Sequence, residues 1–322
     1  MASVWHRADT GAALQFGMTT KFLLLLCATL SFAGCQRAPE ASPLLYSVST
    51  PAGVTGYVMG TVHHGVRIPG DALESIKQLL AECGALTTEM DMLDKEAPAR
   101  LARALGSHLG ARHWVDIVPG KDLHVVASLG KKAGVDALAH SPSDLHPVAL
   151  AGLALRQCDG GRLDDKVSMD ADIQAAARTL GVPIVPLENA ADVAEPLFKL
   201  DRKLWAPYLI QADNFIGPNC KEPSSTYLDK MLRAFRAGDA EALRSATLAV
   251  QHETGLSDVH TPMVFGREPQ LVARVVDGFQ NNPHGKKSCT MVGAAHLAGT
   301  EGVLRGLKRA GFDVRRLAPP PE

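Results

Sequence analysis

Net charge of either sign is nearly absent from this sequence: 33 Lys and Arg stand against 34 Asp and Glu, a formal net charge of -1. Nothing in that balance draws the whole chain toward nucleic acid. No apolar run is long enough to cross a bilayer, which takes roughly 20 residues; the run Phe22 to Leu30 stops well short. Catalytic signatures are missing as well. There is no HExxH helix, so the chain is not a standard zincin, and no Gly-x-Ser-x-Gly elbow, so serine-hydrolase chemistry has little support. The six cysteines lack the close spacing of a zinc knuckle. The loop "CDGGRLDDKVSMDAD" lacks the ordered spacing and closing glutamate of an EF-hand and reads as an exposed acidic loop.

What is present suffices for a core. With 322 residues, 46% of them hydrophobic, the chain can build one large domain or two small ones. From Met18, "MTTKFLLLLCATLSFAGC" passes from one lysine through an apolar run to small residues ending at Cys35, the layout of a secretory signal. Its end, "SFAGC", resembles a bacterial lipobox, in which the cysteine after Ala-Gly is diacylated and becomes the mature N-terminus; Phe32 stands where Leu, Val or Ile is usual. The expectation is export to the cell envelope with a lipid anchor at Cys35, facing the periplasm. An ordinary cleaved signal or an uncleaved anchor is the plainer alternative. Residues 1–17 read as a misassigned upstream start, 18–35 as the signal, 36–43 as a linker and 44–317 as the folded domain. Residues 318–322, "APPPE", read as a disordered tail too proline-rich to continue a helix or strand.

Setting aside Cys27 in the signal and Cys35 at its end leaves Cys83, Cys158, Cys220 and Cys289. In an oxidising compartment an even number favours disulfides. Cys158 in "RQCDGG" and Cys220 in "GPNCKE" lie in Gly/Pro-flanked loops, where a covalent staple is useful, and are expected to pair. Cys83 and Cys289 adjoin apolar segments and read as core thiols.

The organisation is α/β. "LLYSVSTPAGVTGYVMGTVH" gives two β-rich runs around a turn, a hairpin. "DALESIKQLLAECG" has helical apolar spacing and feeds the short strand "ALTTEMDM", so strand, helix and strand form a crossover unit, with His63 and Glu89 toward the same edge of adjacent strands. The middle, about Asp94 to Pro147 and on through "HPVALAGLALRQC", is helical in pattern and reads as an insertion or cap. Alternating helix and strand patterns return at "SMDADIQAAARTLGVPIVPLEN" and in the final block. The expected fold is a mixed, largely parallel central sheet flanked by helices, with a helical insertion in the middle of the chain.

Two stretches repeat one pattern. "VMGTVHHG" and "MVGAAHLAG" each read apolar strand, Gly-x-x-His, then a turn into a helix. One such motif is weak, but two ending comparable strands at opposite ends of a chain are hard to obtain by chance. With "YVMGTVHHG", "LTTEMD", "MDADIQAAARTLGVPIVPLEN" and "MVGAAHLAGTEGVLRGLKRAGFDVRRL" in hand, the chain resembles the TraB/GumN family, related to the Tiki proteins and more distantly to the erythromycin-esterase and ChaN-like group. The resemblance runs from about Leu44 to Leu317, weakest over Pro98 to Leu163 and Leu197 to Val259.

The resemblance implies a divalent-metal site built from the two Gly-x-x-His histidines and an acid, with metal-dependent peptide hydrolysis as in the Tiki branch. Residue by residue, His63 and His296 match the motif histidines, Glu89 the acid after the first helix, and Glu188 a further family acid with a catalytic role. Where related chains more often show Arg-Asn, this one has Arg267 and Glu268. The chemistry is consistent: two imidazoles and a carboxylate suit Mn²⁺, Co²⁺ or Zn²⁺ and leave room for water, whose pKa the ion lowers. Plainer roles exist for each residue. A strand-end histidine often only hydrogen-bonds backbone, His64 faces away from His63 by strand alternation, and Asp91 shares a face with Glu89 and can replace it as ligand. Glu188 fits capping or ion pairing, and Asp170 fits a helix N-terminal acid without further role. The implied activity is a metal-dependent hydrolase of the envelope acting on peptides or proteins. A non-catalytic envelope lipoprotein that binds a ligand or metal chelate is the alternative.

Overall fold

The hairpin read from "LLYSVSTPAGVTGYVMGT" forms as β1 (Leu44–Thr50) and β2 (Gly53–Thr61), antiparallel, with Tyr46 opposite Val58. It lies in a computed structural model that describes residues 40–51, 53–63, 65–110, 112–158, 167–218, 220, 224–281 and 286–317. The upstream stretch, the signal, Cys35, the tail at 318–322 and the side of the strand that His64 faces lie outside the described residues. So does most of the acidic loop.

Chain order after the hairpin is α1 (Gly70–Ala81), β3 (Cys83–Thr88), α2 (Ala97–Leu109), α3 (Leu123–Ala133), α4 (Pro147–Cys158), α5 (Met169–Thr179) and β4 (Ile184–Pro186). There follow α6 (Ala190–Phe198), α7 (Trp205–Ile216), α8 (Ser224–Arg236), α9 (Ala240–Glu253), α10 (Ser257–Phe265), α11 (Glu268–Gln280), β5 (Lys287–Gly293), α12 (Val303–Arg309) and β6 (Asp313–Arg316). The strands form one sheet in the order β4-β3-β5-β2-β1-β6. β4, β3, β5 and β2 run parallel, and β1 and β6 add antiparallel pairings at one side. The fold is therefore the mixed, largely parallel α/β sheet with flanking helices expected from sequence.

One detail of the crossover expectation is corrected. β2 and β3 are not adjacent, because β5 lies between them and pairs with both. A crossover helix need not return the chain to the neighbouring position, and here a strand from the far end of the sequence fills the gap. Glu40 and Ala41, in the stretch read as linker, reach the fold: Glu40 bridges Arg67, and the Ala41 N–H donates to the Arg67 carbonyl at 3.0 Å.

Two apolar clusters result. One joins the sheet to its helices, burying Met59, Leu86 and Met291 against Ile76 and Leu80 of α1, Ile173 of α5, Leu271 and Val275 of α11 and Leu307 of α12. The other is helical throughout, with Leu109, Leu129, Leu150, Leu197, Trp205 and Leu209 at its centre. That second cluster is the helical insertion read from the middle of the chain, and α6, α7 and α10 extend it.

Both cysteine pairs are oxidised. Cys158 bonds Cys220 as expected. Cys83 bonds Cys289, so the reading of these two as core thiols is corrected. Their strands are neighbours, with Leu86 opposite Cys289, and that adjacency exists only because β5 inserts beside β3. Two disulfides fit an oxidising, exported environment. Among the described residues no helix is long and apolar enough to cross a membrane.

Candidate active site

Four neighbouring parallel strands each deliver one of the expected residues just beyond their C-terminal ends. Across the sheet the order is Glu188 after β4, Glu89 after β3, His296 after β5 and His63 after β2. This is the edge at which open α/β sheets bind ligands. Glu89, Glu188 and His296 are buried, whereas the His63 side chain keeps 41% of its exposure and marks the open side of the group.

The glycines of the two Gly-x-x-His motifs explain how the turns come so close. A Cβ on Gly293 would lie 2.7 Å from His63 Nε2 and 3.2 Å from Glu89 Oε1. A Cβ on Gly60 would lie 2.3 Å from Leu297 Cδ1 and 3.2 Å from the Ala294 Cβ. Each motif's glycine thus makes space for the turn of the other, which is a packing reason for the doubled pattern. Gly293 also donates its N–H to Glu89 Oε1 at 2.5 Å.

Both imidazoles are anchored through Nδ1 on a buried carboxylate. His63 Nδ1 donates to Asp170 Oδ2 at 2.5 Å, and His296 Nδ1 lies 3.2 Å from Glu268 Oε1. Asp170 stands in the first turn of α5, after the capping Ser168, where the helix dipole favours a carboxylate. His296 Nε2 lies 3.3 Å from Arg267 Nη2 and 3.9 Å from Glu89 Oε2. An arginine N–H can only donate, so in the neutral ring Nε2 accepts from Arg267 and Nδ1 carries the proton toward Glu268. Carboxylate-anchored histidines with the other nitrogen presented are the usual preparation of a metal-binding imidazole.

Arg267 crosses the centre of the group. Its guanidinium donates to Glu89 Oε2 at 2.7 Å and to Glu188 Oε2, holding the ends of β3 and β4 together. Burial alone would raise the Glu89 pKa. The charges of His296, His63 and Arg267 and the Gly293 N–H outweigh it and hold the carboxyl well below the usual range. Asp170 raises the His63 pKa to about 9 against the opposing effect of burial.

Two buried polar atoms, Asp170 Oδ1 and Arg267 Nε, have no partner among the described residues, so the network does not satisfy itself. No three His, Cys, Asp or Glu side chains among the described residues stand as a ready metal-holding group. Both Glu89 oxygens are engaged, one by the Gly293 N–H and one by Arg267.

A protein-family model matches residues 44–316, the span that carries all these residues. The chain belongs to the TraB/PrgY/gumN family. No curated protein and no solved structure matches it. In this TraB/PrgY/gumN member the doubled motif brings His63 and His296 to one place, together with Glu89 and, through Arg267, Glu188. Asp91 is not among them: it pairs with Arg178 at 2.7 Å. Asp170, given no role in the sequence reading, is the partner of His63. Glu268 is the partner of His296, and Arg244, which sequence reasoning passed over, grips Glu268. Arg244 lies where the family resemblance is weakest, and only its position in space reveals it.

Proposed function

We propose that this protein is a metal-dependent hydrolase of the cell envelope that cleaves peptide bonds, with His63, His296 and Glu89 holding a divalent ion. The observation that carries the reading is the matched pair of imidazoles, each fixed by a carboxylate at Nδ1, with Glu89 beside His296 at the ends of three adjacent parallel strands. The donor set of two imidazoles and one carboxylate suits Mn²⁺, Co²⁺ or Zn²⁺. Such an ion supplies Lewis-acid polarisation of a carbonyl and acidification of water.

The protein's own residues do the rest. Asp170 and Glu268 set the ring directions before any ligand arrives. Glu89 would hold an ion through an oxygen that Arg267 occupies here, and Glu188 would keep its own hold on the guanidinium. The guanidinium edge that now faces Glu89 would then have donors to offer the carbonyl oxygen of a bound peptide, where negative charge develops. Glu188 thus acts through Arg267. The exposed ring of His63 makes its side the entrance for substrate. Anchoring by a diacylated Cys35 would keep the enzyme at the membrane, facing the periplasm.

The test uses the mature protein without its signal. Metal content is measured, and a mixed peptide library is offered with and without Mn²⁺, Co²⁺ or Zn²⁺. Cleavage that needs the metal and disappears in both His63→Ala and His296→Ala is expected. Tight metal binding that survives both substitutions together sinks the assignment. A non-catalytic receptor for a ligand or metal chelate is the second reading, favoured by the hydrogen bonds that occupy both Glu89 oxygens; uptake without cleavage with any metal would select it.

A further inference from the structure

We infer that Arg244 and Glu268 form a positioning pair that sets the tautomer and direction of the His296 ring. The inference rests on the reading of His296 as a metal ligand for its consequence, but not for its geometry. Glu268 opens α11 almost fully buried, a place where a carboxylate is costly unless a cation meets it. Arg244, from the middle of α9, meets it with both arms: Nη1 to Oε1 at 2.5 Å and Nη2 to Oε2 at 3.0 Å. A fork that binds both oxygens fixes the plane of the carboxylate, which a single ammonium cannot do. Oε1, so fixed, faces His296 Nδ1.

Arg244 holds the histidine in three further ways. Nη1 lies within hydrogen-bonding distance of the Ala295 carbonyl at 3.4 Å and the Ala298 carbonyl at 3.2 Å, on either side of His296 in the chain. Its guanidinium stacks over the Phe265 ring at 4.1 Å, and Phe265 stands edge-on to the imidazole with centroids 6.0 Å apart. The turn after the histidine passes against the arginine at Gly299, whose φ is +89°. A Cβ there would lie 2.6 Å from Arg244 Nε. One side chain therefore touches the ring's carboxylate partner, its backbone and its aromatic wall. Support this extensive around one nitrogen favours one tautomer of the neutral ring: Nδ1 protonated toward Glu268, and Nε2 turned to Arg267 and, beyond it, Glu89.

Removing Arg244 alone leaves Glu268 buried without a counter-charge and threatens folding, so the informative variant is the double Arg244→Met, Glu268→Gln, which removes both charges together. Two readouts are taken beside the unfolding midpoint: titration with Co²⁺ followed by its visible absorption, and ¹⁵N NMR of the histidine rings in metal-free protein. In the double variant, Co²⁺ affinity is expected to fall by about 10–100-fold, the usual effect of losing a ligand's carboxylate partner. The His296 nitrogen shifts should move from the Nδ1-protonated pattern toward a mixture. Arg244→Lys, which keeps the charge and loses the fork, should fall between the two proteins. Wild-type nitrogen shifts and wild-type Co²⁺ affinity in a folded double variant would overturn the inference. If the wild-type protein itself takes up no Co²⁺, the metal reading fails while the nitrogen shifts still decide the role of this pair.

Discussion

Gly293 and His63 come from opposite ends of the chain, yet a methyl group on the glycine would sit 2.7 Å from the histidine's Nε2. Gly293→Ala must therefore displace the ring or the strand end that donates to Glu89. The expected cost is about 1–3 kcal/mol of stability, typical of overpacking, with metal affinity lowered about tenfold or more. Gly60→Ala meets Leu297, an apolar side chain, and should cost stability with a smaller effect on affinity. Unfolding midpoints and metal titrations of the two variants compare them directly.

Arg267 faces two buried acids. Arg267→Met leaves Glu89 and Glu188 without their shared cation and is expected to destabilise the fold by about 3–5 kcal/mol. Adding Glu188→Gln should recover a large part of that loss, because one of the stranded charges is then gone. Urea unfolding of the single and double variants measures the recovery; none would mean that the pair is not coupled as described.

The Cys83–Cys289 bond links residues 206 apart in sequence and ties β3 to β5 beneath the site. Replacing both by alanine is expected to cost about 2–5 kcal/mol. Replacing Cys158 and Cys220 should also lower the unfolding midpoint, but leave metal affinity nearer to wild type, since that staple lies in the helical part. Thiol titration of unreduced, denatured mature protein should detect none of these four cysteines.

His146 gives a pH dependence away from the site. It is 2% exposed in the helical cluster, and burial lowers its pKa to about 4 from an ordinary 6.5. The unfolded chain therefore takes up a proton between about pH 6.5 and 4 that the folded chain refuses. Its contribution to stability is present above pH 6.5 and is lost as the pH falls through that window, by about 3.5 kcal/mol at about 1.4 kcal/mol per pKa unit. His146→Gln should flatten the fall in stability between pH 7 and 4. An unchanged slope would show that the imidazole titrates normally.

Cys35 supplies a fifth test. Cys35→Ser is expected to move the protein from the membrane fraction to the soluble periplasm, while unchanged fractionation would count against lipidation.

Much of the site was legible because its residues follow strands, and apolar runs ending in Gly-x-x-His are local patterns. His63, His296 and Glu89 could each be picked out from a few neighbours in sequence, whereas Glu188 was singled out only by the family resemblance. Their supports could not. Asp170 looks like any helix-opening acid until β2 is placed beside α5, and Arg244 is an unremarked helical arginine until α9 packs on the turn after β5. The Cys83–Cys289 pairing failed for the same reason: each cysteine looks like a small apolar residue in its own segment, and only strand order makes them partners. Local patterning names elements, whereas neighbour relations across the sheet depend on contacts that no short window contains.

The place of β5 in the sheet also carries a consequence in time. β2 and β3 have no common neighbour until Lys287–Gly293 has been made, because the strand that joins them is nearly the last to leave the ribosome. Pairings between such distant segments form late and slowly. A nascent chain halted before residue 287 possesses one histidine of the pair, one cysteine of the sheet disulfide and no Gly293 to fill Glu89. The binding group therefore comes into being only with the completed chain, and the bond that locks it can close only where thiols are oxidised.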